Sequence, residues 1–138
     1  MTSDRNQLGR WAEDQAAVYL ESAGYQVLLR NERVAGVEVD LMAKRARTMV
    51  AVEVKARETF PYSSGFSIEQ VWSPAQQVRL RRGLHAFLSR TSGDFEGRLD
   101  LILILPASSV QDDAPFDSAQ PPIAISPTHR LIHFPSVG

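Results

Sequence analysis

Two acids and a lysine stand where a β-strand core should not want them. The run Met49 to Arg57, MVAVEVKAR, opens on apolar Val50, Ala51 and Val52 and then sets Glu53 and Lys55 two residues apart. Lys55 is one of only two lysines in the chain, Lys44 being the other. A further acid, Asp40, lies inside the β-rich run Val37 to Ala43. Carboxylates that converge can hold a hard divalent cation such as Mg²⁺, which takes oxygen ligands and completes its shell with water and phosphate. A lysine beside them can neutralise charge on that phosphate or orient a water.

Whether they converge depends on strand geometry. Side chains alternate between the two faces of a strand, so Val37, Val39 and Leu41 are expected on one face and Glu38, Asp40 and Met42 on the other. In the next run Val50, Val52, Val54 and Ala56 share a face, opposite Ala51, Glu53, Lys55 and Arg57. The segment KRAR joins the two runs, and a hairpin centred near Ala46 or Arg47 puts Asp40 across from Glu53. Directly opposed residues have Cβ atoms about 4.5–5.5 Å apart. One such charge alone is ordinarily a solvated face. Two opposed carboxylates repel, and selection for stability would pair opposite charges there, so a cation is expected between or beside them.

Glu13 raises a similar question. On a helix it shares a surface with Gly9, Ala16, Ala17 and Leu20. A carboxylate buried there unpaired is costly, so it either turns outward or meets a partner.

The elements that must position these groups can be read in order. Leu8, Trp11, Ala12, Ala16, Tyr19, Leu20 and Ala23 recur at helical spacing over residues 5–23, with Ser3 or Asp4 as cap and Gly24 as terminator. Tyr25 to Arg30 reads as a strand, followed by a short connection and the hairpin strands Val37–Ala43 and Thr48–Ala56. Residues 58–73 read as a loop. Ser73 caps a second helix that begins at Pro74 and runs to about Ser89 through Val78, Leu80, Leu84, Phe87 and Leu88. TSGDFEG turns into Leu99–Leu105, an apolar strand expected to be covered on both faces. Residues 106–122 read as a flexible, proline-rich acidic loop, and Arg130–Phe134 as a last strand. The order α-β-β-β-α-β, with a further strand, predicts one α/β domain in which helices flank a mixed central sheet.

Composition narrows the classes. The 138 residues suit one domain, and 43% apolar with 22% charged residues is ordinary for a soluble protein. The absence of cysteine excludes disulfides and thiolate metal sites. No apolar run approaches the roughly 18 residues of a membrane span, and MTSDRNQLGRWAEDQ lacks the apolar stretch of a secretory leader, so a cytoplasmic location is expected. A net charge of −1 gives no general attraction to nucleic acid. The middle is locally basic, with Arg30, Arg33, Lys44, Arg45, Arg47, Lys55 and Arg57 followed by Arg79, Arg81 and Arg82, whereas Asp112, Asp113 and Asp117 gather later. His85, His129 and His133 are scattered and make a poor zinc trio. No Ser-His-acid spacing and no glycine-rich phosphate loop with lysine is present. A glycosidase acid pair would leave Lys55 unexplained.

An acid on one strand followed, across a hairpin, by acid-x-lysine on the next resembles the core of the PD-(D/E)XK nuclease superfamily, here Asp40 and then Glu53-Val54-Lys55. The surroundings LGRWAEDQAAVYLESAGYQVLLRN, GVEVDLMA and VAVEVKAR resemble the YraN-like family of predicted endonucleases, related in fold to Holliday-junction resolvases. The likeness is strongest from Leu8 to Arg57 and runs on through GRLDLILI to HFP near the end. It implies a restriction-endonuclease-like fold. It also implies that Asp40 and Glu53 bind metal, that Lys55 is the catalytic lysine, that Glu13 holds a second metal or its water, and that Glu38 supports the site. Val37 stands where the family often has glycine, and Gln76 about where it tends to have lysine.

The implied activity is Mg²⁺-dependent hydrolysis of phosphodiester bonds in DNA, branched or junction DNA included, with Mn²⁺ as a substitute. The Val54 backbone carbonyl would add an oxygen ligand, and Arg57, Arg79, Arg81 and Arg82 would hold the nucleic-acid backbone. Lys55 suits an electrostatic role better than that of a base, because neighbouring carboxylates favour its charged form. A homodimer would suit symmetric cutting of a branched substrate. The competing class is a binding or scaffold protein that keeps the fold without the chemistry.

Overall fold

Gly24 adopts φ +91°, which an L side chain resists, and so ends the first helix where the sequence places its stop. Tyr25 N–H then reaches back to Leu20 O at 2.9 Å. A computed structural model describes residues 4–58, 67–110 and 120–136. In it α1 spans Asp4–Ser22, β1 Gln26–Val34, β2 Val37–Arg45, β3 Thr48–Ala56, α2 Pro74–Arg90, β4 Glu96–Pro106, β5 Ile123–Ala124 and β6 His129–Phe134. The predicted cap at Ser3, the acids Asp112, Asp113 and Asp117, and much of both predicted loops lie outside the described residues.

The strands form one mixed sheet in the order β1-β2-β3-β4-β6-β5. Among the described strands only β3 and β4 pair in parallel, and α2 lies in the crossover between them. The expected α/β architecture with a mixed sheet and flanking helices is therefore what the chain adopts. Alternation along β4 divides the core in two. Leu99, Leu101, Leu103 and Leu105 pack toward Leu80 and Leu84 of α2, while Ile102 and Ile104 pack toward Ala12, Ala16 and Leu20 of α1. Gly83 allows α2 to come close, since a Cβ there would stand 3.3 Å from a Val37 methyl. No helix among the described residues is long and apolar enough to cross a membrane.

Several details differ from the sequence reading. The first strand continues to Val34 and pairs with β2 through a two-residue turn in which Ala35 and Gly36 both have positive φ. Glu32 and Arg33 are polar and exposed, so local preference gives no strand signal there; pairing with Val39 and Glu38 supplies it. Similarly β4 begins at Glu96, because parallel pairing with Thr48 draws it back. The loop before α2 contains a 3₁₀ turn, Ile68–Gln70.

A buried ionic network sits on the α1 face. Asp100 is wholly buried and receives a two-pronged contact from Arg98, both bonds 2.8 Å, together with His133 Nε2 at 2.7 Å and the Ser136 N–H at 3.0 Å. Arg98 also donates to the Tyr25 hydroxyl at 2.6 Å, and His133 Nδ1 lies 2.8 Å from the Tyr19 hydroxyl. Burial pushes the Asp100 carboxyl up, but His133, Arg98 and Ser136 together outweigh it and hold it below its ordinary value. The stability it contributes is present above the ordinary carboxylate range and is lost as pH falls through the depressed value. Asp100→Ala strands a guanidinium and an imidazole, and is expected to cost about 3–5 kcal/mol in urea unfolding at neutral pH. A loss under about 1 kcal/mol would show that the network does not hold the fold.

Candidate active site

The β2–β3 ladder runs from Arg45 opposite Thr48 to Leu41 opposite Val52 and ends there, whereas β3 remains paired to β4 as far as Ala56. One step beyond, where Asp40 and Glu53 would oppose, the Asp40 carboxylate takes over: its Oδ2 accepts the Val54 N–H at 2.9 Å. The β1–β2 register passes from Arg30–Leu41 to Glu32–Val39 without pairing Asn31 or Asp40, and Asn31 is left-handed, with φ +53°. β2 therefore changes face at this point. Val37 and Val39 pack toward α2, but Leu41 packs toward α1. The expectation that Val37, Val39 and Leu41 share a face is corrected, because strict alternation fails where the strand kinks.

The parting of the strands opens a cavity of about 340 Å³ lined by Asp40, Glu53, Lys55, Arg33, Glu38, Gln76 and Arg79, with Gly36, Val37 and Leu80 completing the wall. Three carboxylates therefore face three cations. Glu53 and Lys55 are mostly buried, and Lys55 Nζ lies 3.9 Å from Glu53 Oε1. Desolvation, a hydrogen bond with Asp40 and the Asp40 charge push Glu53 up to about 8, against the opposing pull of Lys55. Such a carboxyl keeps its proton at neutral pH unless another cation takes the proton's place.

Glu13 belongs to the same electrostatic cluster without walling the cavity. Partial burial and then Asp40 raise its carboxyl, while Arg30 opposes them. Arg30 itself pairs with Asp14. Among the described residues no three His, Cys, Asp or Glu side chains form a ready-made metal cage. The donor set is two adjacent carboxylates, all oxygen, with Glu13 at the margin. That chemistry fits a hard divalent cation, which commonly takes one or two carboxylates and keeps several waters.

The predicted backbone-binding arginines separate. Arg79 lines the acid cavity, whereas Arg57 lines a second cavity, Arg81 a small one beside His85 and Arg98, and Arg82 is exposed on α2. Arg33 reaches the acid cavity from the far end of β1, 3.7 Å from Glu38. Sequence reasoning counted it only as part of a basic stretch; the β1–β2 hairpin brings it here, and Gly36 in the short connection was the available clue. Gln76 has a local duty. Its Oε1 accepts the Ser73 N–H at 3.1 Å while its own N–H donates to Ser73 Oγ at 3.2 Å, a reciprocal helix cap that a lysine cannot complete. His85 lies on α2 and His133 on the opposite side of the sheet, bound to Asp100.

The raised Glu53 carboxyl carries a stability signature. Its ordinary value is 4.5, and in the fold it holds its proton up to about 8. Between the two the native state binds the extra proton, so stability falls as pH rises through that window and levels off above it. Glu53→Gln removes the titration. In metal-free buffer the variant is expected to melt at least about 5 °C above wild type near pH 9, with the gap closing toward pH 4.5. Thermal melts across that range check this, and a gap that does not change with pH would contradict it.

The sequence profile described as the uncharacterised protein family UPF0102 matches residues 12–104, a span that includes Glu13, Asp40, Glu53, Lys55 and all of α2. A UPF0102 protein of Desulforapulum autotrophicum is 40% identical over 105 residues, covering 75% of this chain and 84% of its own. One from Leifsonia xyli subsp. xyli is 39% identical over 111 residues, covering 79% and 91%. Another, from Geobacter sulfurreducens, is 37% identical over 110 residues, covering 78% and 80%. With the profile spanning most of the chain and these relatives aligned along most of their length, the chain belongs to the UPF0102, or YraN, family.

Proposed function

We propose that the chain is a metal-dependent endonuclease that hydrolyses phosphodiester bonds in DNA. The observation that carries this reading is the meeting of Asp40, Glu53 and Lys55 in one polar cavity whose walls add Arg33 and Arg79. A binding module gains nothing from setting Glu53 beside a second carboxylate that raises its proton affinity. A hydrolase does, because the pair accepts a dication and leaves the cavity positive toward phosphate.

Asp40 and Glu53 would hold Mg²⁺ or Mn²⁺, with the Val54 carbonyl as a further oxygen and Glu13 holding a second ion or its water. The ion supplies Lewis acidity toward the phosphoryl oxygen and the attacking water. The rest falls to the chain. Arg33 and Arg79, one from each wall, bind the phosphates that flank the scissile one. Lys55 is tethered near Glu53 and meets charge developing on the phosphoryl oxygens. Water attacks phosphorus as the bond to the leaving sugar oxygen breaks, and a proton passes to that oxygen, giving a phosphate monoester and a free hydroxyl. No side chain in the cavity is arranged to read base edges, so the reading is one of structure-selective rather than sequence-selective cutting. A cytoplasmic site of action and a homodimer for symmetric cutting belong to this reading.

The test is cleavage of single-stranded, duplex, flapped and four-way-junction DNA with Mg²⁺ or Mn²⁺. Asp40→Asn and Lys55→Ala are each expected to lower kcat by at least about a hundredfold. Arg33→Ala and Arg79→Ala should raise KM several-fold and flatten its salt dependence. A folded wild type that cuts none of these substrates, and whose Tm divalent ions leave unmoved, would overturn the enzyme reading in favour of a binding module.

A further inference from the structure

The second helix carries charge of one sign across its whole outer width. Arg79, Arg81, Arg82, His85 and Arg90 lie on α2, which has no acid. At 3.6 residues per turn Arg79 and Arg81 stand on opposite flanks, with the exposed Arg82 on the crest between them. Each flank borders a cavity. Arg79 lines the acid cavity together with Leu80 and Val37, and Arg81 lines a smaller one, about 230 Å³, together with Leu84 and Leu99. These four apolar residues belong to the core under α2, so both cavities open on the same side of the sheet.

The smaller cavity exists because β4 lacks a neighbour there. β6 pairs with β4 from Leu101 onward, so at Gly97 and Leu99 the outer edge of β4 borders this cavity rather than a strand. None of the described residues that line it is acidic. Arg81 and His85 are four residues apart and reach it from one flank of the helix. Arg81 brings a permanent cation, and His85 an N–H donor in either protonation state. Arg98 also borders it, but its guanidinium is held by Asp100 and Tyr25. The groups left for a ligand are therefore Arg81 and His85, and the ligand they fit is an anion.

We propose that Arg81 and His85 bind a second backbone phosphate of the nucleic acid whose scissile phosphate occupies the acid cavity, the strand crossing α2 over Arg82. The proposal rests on the nucleic-acid reading above and deepens it, because it fixes the direction in which the substrate leaves the site. A helix with its side chains is about 10–12 Å across, roughly three to four nucleotide steps of 3.4 Å. The bound arm extends at least that far from the cut.

Fluorescence anisotropy with a short DNA duplex in EDTA tests this without requiring cleavage. Arg81→Ala is expected to weaken binding about five- to tenfold and to lower the salt slope by about one, and His85→Ala to weaken it about threefold. Arg10→Ala removes the same charge from the exposed face of α1, on the other side of the sheet, and should change neither quantity. Unchanged affinity in Arg81→Ala, or an equal loss in Arg10→Ala, would overturn the proposal. Titration with inorganic phosphate, followed through the His85 imidazole signals by NMR, separates the sources of the anion. Phosphate that moves those signals while DNA affinity ignores Arg81 would also overturn the proposal and assign the cavity to a small free anion. Parallel cleavage assays separate the two readings. DNA affinity that maps to Arg81 and His85 in a protein that never cuts supports this site and removes the nuclease; cutting by a protein whose affinity ignores both does the reverse.

Discussion

One hydrogen bond sets the character of the site: the Val54 N–H given to the Asp40 carboxylate at 2.9 Å. Past Leu41 and Val52 the β2–β3 ladder stops, and an inner strand would be left with an unmet donor costing about 1–3 kcal/mol. Asp40 meets it, and in doing so is fixed beside Glu53 at the point where the strands diverge. The structural duty and the proposed metal-binding one thus fall on the same side chain. An amide at position 40 still offers an acceptor to Val54, whereas a methyl does not.

The sheet keeps two kinds of charge apart. On the α1 face Arg98, Asp100 and His133 satisfy one another in a buried network tied to Tyr19 and Tyr25. On the α2 face the charges meet in an open cavity where like carboxylates remain together and Glu53 retains its proton to about 8. The first arrangement is complete without a ligand. The second is relieved only by a proton or a further cation, and this difference separates a structural network from a candidate site.

The basic residues divide the same way. Arg98 belongs to the fold, Arg33 and Arg79 to the acid cavity, and Arg57 to a second cavity on the α1 side. The charge count along the chain cannot sort them, because Arg33 and Arg79 are far apart in sequence and meet only through the β1–β2 hairpin and the placement of α2 over β2. Gly83, pressed close to Val37, is what lets α2 approach.

Sequence alone determined the elements with strong local signals. Those are the helix stopped at Gly24, the helix opened by Ser73-Pro74, the β2–β3 hairpin, the doubly covered strand through Leu101 and Ile102, and the acid, acid and lysine spacing that the hairpin brings together. Each rests on periodicity, capping or turn chemistry acting over a few residues. Tertiary structure decided the extension of β1 to Val34, the kink at Asp40 that breaks strict alternation, the recruitment of Arg33 and the burial of Asp100 with His133. Those outcomes depend on pairing and packing between distant segments. Polar residues such as Glu32, Arg33 and Asp100 carry no local pattern that announces which partner they will meet.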